Sequence, residues 1–296
     1  MIVSKRNSTA AKLLVNATFI VVCVLCIIPL LTVITISISR DNYLIAHGYS
    51  ILPHQINLLA YKYIFLYPKG LIKAYEISLA ISFAGGLFSL LVSSMFAYAV
   101  SRKDYKPWKL FTFIILFTMM FNGGIVSNYI VVTNYYHLQD NLLALILPYS
   151  VVPMYILILR TFFSSVPTAI IESAKIDGAN EFYAFFKIVV PLSKAALSTV
   201  GLLILLLYWN DWWLGLLYIN KSQLSPIQLM LNHMMQNIDF LRTTAMGASS
   251  TISLKDFPSE SARMAMCVVA AGPMLFVFPF FQKYFVKGLT VGSVKG

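Results

Sequence analysis

A run of aromatic and polar side chains at residues 208–213 interrupts an otherwise apolar stretch. A carboxylate is costly in such a setting, so Asp211 is expected to face a bundle interior or an aqueous path. Aromatic faces with carboxylate and amide groups suit a sugar, because sugars combine apolar C–H faces with many hydroxyls. The run therefore predicts a path for a solute of this kind, with the candidate residues Tyr208, Trp209, Asn210, Asp211 and Trp212.

The aromatic residues of this run have a second interpretation. Trp and Tyr also gather at membrane interfaces, where they act as anchors. Trp209 and Trp213 are four residues apart and would share one face of a helix. For Trp212 and Trp213, the anchor and the path remain equal alternatives. For Asp211 and Asn210, a place in the path or at a subunit interface is favoured.

The sequence contains no arrangement of residues typical of an enzyme. It has no G-x-x-x-x-G-K-[ST] loop, so we predict that the chain does not bind or hydrolyse ATP itself. It shows no paired carboxylates and no nucleophile with a base. The 4 histidines lack ligand spacing, and the 3 cysteines lie in apolar runs as small core residues. We expect no catalytic residue, metal or cofactor in this chain.

A second informative segment, residues 166–191, is predicted to form two short helices joined by a turn. Pro167 suits a first helical position, and Gly178 suits the left-handed residue that ends a helix. Asn180 can cap the next helix, with Glu181 near its positive end, and Pro191 marks its exit. Such an ordered knob either docks on another protein or spaces two membrane spans as an interfacial helix.

The residues of this knob resemble the loop motif of binding-protein-dependent ABC importer permeases. That motif reads E-A-A, three residues, G, nine residues and I-x-L-P, and this chain follows the spacing throughout. Ser173 and Val190 depart from it conservatively. In the family, the knob inserts into a cleft on the ATP-hydrolysing subunit and transmits its closure to the membrane spans. The resemblance implies ATPase-coupling positions at Glu172, Ser173, Ala174, Asp177, Gly178 and Pro191.

The C-terminal segment is similar to the end of the second permease subunit of maltose-type carbohydrate importers. In that family the C-terminal tail ends in the pattern Q-x-x-x-x-x-G-L-T-x-G-x-V-K-G, and this tail reaches between the two ATPase subunits. A glycine-rich, basic C-terminus also has another interpretation, namely a frayed segment whose positive charges flank a membrane span on its inner side. Residues 121–124, 208–213 and 263–266 look closest to the branch with lipoprotein-type oligosaccharide-binding proteins. By resemblance, contacts with the ATPase would come from Gln282, Lys283, Gly288, Thr290 and Lys295.

The resemblance implies a type I ABC importer permease fold and a subunit that is not itself an enzyme. The implied partners are a second permease in a heterodimer, two nucleotide-binding ATPase subunits that carry ATP and Mg, and an extracellular or periplasmic solute-binding protein. The implied cargo is a sugar or oligosaccharide. The alternative is a secondary transporter driven by an ion gradient, which would normally show inverted repeats or several intramembrane charges.

The elements that must position these segments are apolar helices. Of the 296 residues, 59% are hydrophobic and 11% are charged, which is too apolar for a soluble domain. A membrane span needs about 20 apolar residues, because lipid offers backbone N–H and C=O groups no partners. We predict an all-α membrane protein with six transmembrane helices, at about 13–38, 74–100, 110–131, 142–163, 195–218 and 264–284.

The net charge of +11 is interpreted as topological rather than as a sign of nucleic-acid binding, because basic residues cluster in short loops beside the spans. Lys62, Lys69 and Lys73 run against the positive-inside rule, but the remaining bias places both termini in the cytoplasm. We expect a multi-pass protein of the bacterial cytoplasmic (inner) membrane. Its parts are a cytoplasmic N-terminus (1–12), a permease domain (13–284) with a coupling loop (164–192) and outer loops (about 39–73 and 219–263), and a cytoplasmic tail (285–296).

Overall fold

The protein is helical throughout the part of the chain that the structure describes. The computed structural model describes residues 7–66, 68–247 and 259–292, and among these residues there is no β-strand, only one isolated bridge between Ser39 and Ile56. The all-α prediction is confirmed. The helices are α1 (Asn7–Ser37), α2 (Asp41–His47), α3 (Leu59–Ile64), α4 (Pro68–Ser101), α5 (Trp108–Met120), α6 (Gly124–Tyr135), α7 (Leu143–Tyr149), α8 (Pro153–Ser164), α9 (Thr168–Ile176), α10 (Glu181–Leu192), α11 (Lys194–Trp209), α12 (Trp213–Tyr218), α13 (Ile227–Gly247) and α14 (Glu260–Gly292).

The chain divides into two compact units, residues 1–68 with 233–272 and residues 69–232 with 273–296. In the second unit, α4 packs against α8 and α11. Ala97, Leu159, Val200 and Ile204 lie in the core of this unit and are almost completely shielded from solvent. These three helices form the scaffold from which the coupling loop projects.

Within the described residues, three helices are long and apolar enough to cross a membrane as single elements, namely Ala11–Ser37, Pro68–Ser101 and Glu260–Gln282. They agree with the spans predicted at 13–38, 74–100 and 264–284. Every side chain of α1 from position 11 to position 31 is exposed in the isolated chain. Such an apolar helix is suited to contact with lipid or with another membrane subunit.

The spans predicted at 110–131, 142–163 and 195–218 are wrong as continuous helices. The apolar segments are present, but the first two form bent pairs, in which α5 meets α6 at 113° and α7 meets α8 at 49°. A further bent pair, α10 and α11 at 87°, has its break at Ser193, just before the span predicted at 195–218. Helix α11 also ends before α12 begins, so the fifth predicted span is interrupted at 210–212. The described helices supply up to six spans if each bent pair is one span.

The interruptions lie where local chemistry breaks the helical hydrogen-bond ladder. Gly124 has a φ of +82°, a left-handed conformation, and its N–H donates to Oδ1 of Asn122 at 3.0 Å. Pro153 begins α8, and a proline disfavours the helical conformation in the residue before it. Asp211 accepts a hydrogen bond from the Leu214 N–H at 3.2 Å. Its carboxylate thereby starts α12 as a new helix.

Gly85 allows α4 and α11 to approach closely, and this contact yields a prediction. A Cβ at Gly85 would lie 2.9 Å from two ring atoms of Tyr208. That ring is buried, and its hydroxyl donates to the Ile146 carbonyl at 2.8 Å, so it has little freedom to move. We expect Gly85→Ala to lower the stability of the purified protein by about 1–3 kcal/mol.

The next residue provides the matched control for this prediction. A Cβ at Gly86 would meet nothing within 4 Å, and Gly86 is helical. Gly86→Ala should therefore leave stability unchanged or raise it by up to about 1 kcal/mol. The measurement is unfolding of both variants in detergent micelles. Equal stability of the two variants would show that the contact with Tyr208 does not limit packing.

In the first unit, a buried carboxylate joins α2 to the start of α14. Asp41 accepts hydrogen bonds from the backbone N–H groups of Ser259 at 2.5 Å, Glu260 at 2.9 Å and Ser261 at 3.0 Å. The hydroxyls of Ser259 and Ser261 donate to the same carboxylate. The first N–H groups of a helix have no partner within the helix, so Asp41 caps α14 from a distant part of the chain.

Candidate functional site

The coupling loop folds as the knob predicted from its residues. Helix α9 ends in a left-handed glycine, with a φ of +87° at Gly178. The Gly178 N–H donates to the Lys175 carbonyl at 3.0 Å, and the Ala179 N–H donates to the Ala174 carbonyl at 2.9 Å. This paired arrangement is the Schellman motif. Asn180 then accepts the Tyr183 N–H at 2.8 Å and caps α10, so both turn predictions are confirmed.

The outer surface of the knob carries most of the predicted coupling residues. Ala174 is half-buried, and Ile171 beneath it is buried and fixes α9 on the scaffold. The tip also exposes apolar side chains, and Ile176 has 87% of its surface exposed. Exposed apolar residues at the tip of an ordered loop indicate a contact surface. The exposed predicted coupling residues are Glu172, Ser173, Asp177, Gly178 and Pro191.

A polar network joins this loop to the end of α4. The Lys175 Nζ lies 2.5 Å from Oε1 of Glu181 and 3.2 Å from Oδ2 of Asp104. The Arg102 guanidinium donates to both oxygens of Asp104, at 3.1 and 2.9 Å. The Tyr98 hydroxyl donates to Oε2 of Glu181 at 2.7 Å. Sequence reasoning missed this network, because Asp104 lies 71 positions from Lys175 and no local pattern relates them.

The charges of this network are set by its own hydrogen bonds. The hydrogen bond from Arg102 lowers the pKa of Asp104 to about 2, with a further contribution from Lys175. The hydrogen bond to Glu181 raises the pKa of Lys175. The stabilisation that Asp104 contributes is therefore lost only as the pH falls through its lowered pKa. The stabilisation that Lys175 contributes is lost only as the pH rises through its raised pKa. Both groups are charged near neutral pH.

A cavity of about 710 Å³ lies among α6, α7 and α12. Its wall combines apolar side chains with amide, phenol and indole groups. Trp213 contributes an indole that is 39% exposed, and Tyr149 is half-buried. This combination can hold a ring-shaped polar solute, because the aromatic faces are apolar while the amides and phenols form hydrogen bonds. The polar and aromatic residues that line it are Asn122, Asn128, Tyr136, Tyr149, Trp213 and Tyr218.

Asp211 stands behind this cavity rather than in its wall. Its Oδ1 accepts a hydrogen bond from the Tyr149 hydroxyl at 2.9 Å, and its other oxygen caps α12. The carboxylate therefore orients a phenol that does line the cavity. A role for Asp211 in a solute path stays a prediction, and the geometry makes that role indirect.

The structure separates the other predicted path residues. Trp209 and Tyr208 are 1% and 4% exposed, so both side chains are buried. Asn210 and Trp212 are exposed but do not line the cavity. Trp209 and Trp213 would share a face only on a continuous helix, and α11 ends at Trp209. The cavity residues that sequence reasoning missed lie mostly on α6 and α7, which carry no sequence pattern marking them.

The C-terminal positions predicted to contact an ATPase fall on or beyond the end of α14. Gln282 is exposed, and the helix continues through positions 283, 288 and 290. Lys295 lies outside the described residues. Among the described residues, no group of three or more His, Cys, Asp or Glu side chains is placed to hold a metal ion.

A family model and curated relatives match the chain. The model describes a binding-protein-dependent transport system inner membrane component and matches residues 89–291, which include the whole coupling loop. The chain is 36% identical to the polygalacturonan/rhamnogalacturonan transport system permease protein YtcP of Bacillus subtilis (strain 168), over 92% of this chain and 93% of that protein. It is 26% identical to the trehalose/maltose transport system permease protein MalG of Thermococcus litoralis, over 98% and 99% of the two chains.

A solved structure resembles the chain over almost its whole length. It is the crystal structure of a bacterial ABC transporter involved in the import of the acidic polysaccharide alginate. The likeness has a TM-score of 0.76 at 25% identity and covers 96% of this chain and 99% of that chain. The fold is therefore shared, and nothing in the comparisons supports the ion-gradient alternative.

Proposed function

Since the chain belongs to the family of binding-protein-dependent transport system inner membrane components, we propose that it is one of two permease subunits of an ATP-driven oligosaccharide importer. The observation that carries this proposal is the coupling loop. Its motif spacing, from Glu172 through Gly178 to Pro191, coincides with a folded, exposed knob. An ordered, solvent-facing pair of helices with an apolar tip is suited to docking on a partner protein.

The partner at this knob is proposed to be an ATPase subunit that binds ATP and Mg, because this chain has no phosphate-binding loop of its own. Two such subunits would each hold one knob, one from this chain and one from a second, different permease. The ATPase must bind the knob differently in its open and closed states. A partner that bound both permease conformations equally well could not shift the equilibrium between them. Closure would then alternate the permease pair between inward-open and outward-open states.

The cargo is proposed to be an oligosaccharide delivered by an extracellular or periplasmic binding protein. The relatives named for sugar polymers and disaccharides support this class of solute. The cavity supports it as well, since its amide, phenol and indole groups match the hydroxyls and C–H faces of sugar rings. In the bacterial cytoplasmic membrane, with both termini in the cytoplasm, the knob would face the ATPase.

The cavity gives a prediction with a matched control. Trp213 lines the cavity and Trp212 does not, although the two indoles are 39% and 38% exposed and pack edge to face at 5.6 Å. We expect Trp213→Ala to reduce sugar uptake at subsaturating concentration roughly tenfold, equivalent to about 1.4 kcal/mol, because it removes a stacking face. Trp212→Ala should leave uptake within about twofold. Uptake of a radiolabelled oligosaccharide into cells is the measurement, and equal losses in both variants would exclude the cavity as the path.

The proposed function is tested by affinity purification of this chain from its native membrane, followed by mass spectrometry and an ATPase assay. The proposal expects a second multi-span permease, a nucleotide-binding subunit and a solute-binding protein to co-purify, with ATP hydrolysis. The ligand of that binding protein would identify the sugar. Recovery of this chain alone, without ATPase activity, would reject the importer.

A further inference from the structure

A polar network connects the knob to the end of α4 through the side chains of Tyr98, Arg102, Asp104, Lys175 and Glu181. Tyr98 and Arg102 lie at the end of α4, and Asp104 lies in the turn that follows. Lys175 and Glu181 stand on either side of the Gly178 turn at the tip of the knob. One ammonium group, that of Lys175, therefore bridges both sides of the network.

The two ion pairs of Lys175 are the exposed part of the network, so we expect them to contribute to the position of the knob more than to folding stability. The side chains of Asp104 and Glu181 are each 53% exposed, and exposed ion pairs add little to folding stability. The core beneath is apolar, with the rings of Tyr98 and Phe185 at 5.4 Å and those of Phe163 and Phe185 at 6.5 Å. Loss of the charges should leave this core intact.

The backbone joins the knob to the scaffold at both ends of the loop, by residues 165–167 after α8 and by a break before α11. The chain leaves the loop through α10, which meets α11 at 87°, with Ser193 between them. A bend of this size at a helix break can absorb a displacement of the loop without moving α11. Helix α4, in contrast, packs directly on both α8 and α11. A fixed link from the knob to α4 would therefore pass a displacement to the whole scaffold.

We propose that Lys175, with Asp104 and Glu181, forms an ionic clamp that makes the knob and the end of α4 move as one body, so that closure of the ATPase drives the membrane helices. This inference rests on the proposed function. The three residues are positioning residues, since they act through α4 and do not touch the solute. The clamp can also be broken at Asp104, which leaves Lys175 itself unchanged. Its effect can therefore be separated from that of a direct contact between Lys175 and the ATPase.

The test uses the intact complex, with its own partner permease, ATPase and binding protein, in proteoliposomes. Two quantities are measured together, namely ATP hydrolysis and uptake of short radiolabelled neutral and uronic acid oligosaccharides. The variants are Lys175→Met, which removes both ion pairs, and Asp104→Asn, which weakens the far end of the clamp. Lys175→Arg restores the charge and the donors. Lys187→Met is the matched control, because it makes the same change at an exposed lysine of α10 outside the network.

The expected result is a fall of about fivefold or more in sugar imported per ATP hydrolysed for Lys175→Met and Asp104→Asn. The amount of ATPase in the complex and its thermal stability should not change, and Lys175→Arg and Lys187→Met should behave as the wild type. An unchanged transport ratio in Lys175→Met would overturn the clamp. So would a loss confined to Lys175→Met with normal Asp104→Asn, since Lys175 would then act on the ATPase alone. A wild-type complex that imports none of these sugars would instead count against the proposed function.

Discussion

Replacing Gly178 by valine is expected to reduce sugar uptake at least about tenfold while ATP hydrolysis continues, because the coupling loop can no longer form its turn. Gly178 has a φ of +87°, which a β-branched residue rarely adopts. A Cβ at this position would meet nothing within 4 Å. The effect therefore comes from backbone strain alone and not from a clash. The measurement is uptake and ATP hydrolysis by the same reconstituted complex.

A graded series separates this strain from other causes. Gly178→Asn should retain most of the uptake, since asparagine tolerates the left-handed conformation, whereas alanine pays about 1–2 kcal/mol there and valine more. Gly48→Val is the control for strain elsewhere, because Gly48 also has a positive φ of +78° and open space around it. Gly48 lies outside the coupling loop, so the complex with Gly48→Val should import a normal amount of sugar per ATP hydrolysed. Wild-type uptake in Gly178→Val would count heavily against the knob as the coupling element.

Replacing Asp41 by alanine is expected to destabilise the protein by about 2–4 kcal/mol, the largest stability effect we anticipate. Asp41 is 6% exposed and caps α14 through three backbone N–H groups and two serine hydroxyls. Alanine would leave these buried donors without their protein acceptor, and unpaired buried donors are costly. The free energy of unfolding in mixed micelles is the measurement.

A surface carboxylate serves as the comparison for Asp41. Glu76 pairs with Lys73 at 3.1 Å, but both side chains are more than half exposed, at 59% and 53%. Glu76→Gln should change stability by about 1 kcal/mol or less. Asp41→Asn should fall between the two, because an amide keeps one acceptor oxygen and loses the charge. Similar stabilities for Asp41→Ala and Glu76→Gln would show that the cap does not hold α14.

Local chemistry explains which features could be predicted from the sequence. The left-handed turn at Gly178 and the cap at Asn180 depend on neighbours within a few residues, so their pattern was sufficient. The apolar segments were also found, because hydropathy is a property of a continuous run. The same runs did not reveal that the third segment turns through 113° between Met120 and Gly124.

The sequence by itself determined an all-helical membrane protein with a folded coupling knob, because both follow from interactions between near neighbours. Only the tertiary structure decided which side chains meet across the fold. Tyr149 reaches Asp211 from 62 positions away, Lys175 reaches Asp104 from 71, and Asp41 reaches Ser261 from 220. Such pairs depend on how the helices pack and where they bend. For that reason Trp209 is buried while Trp213, four residues later, lines the cavity.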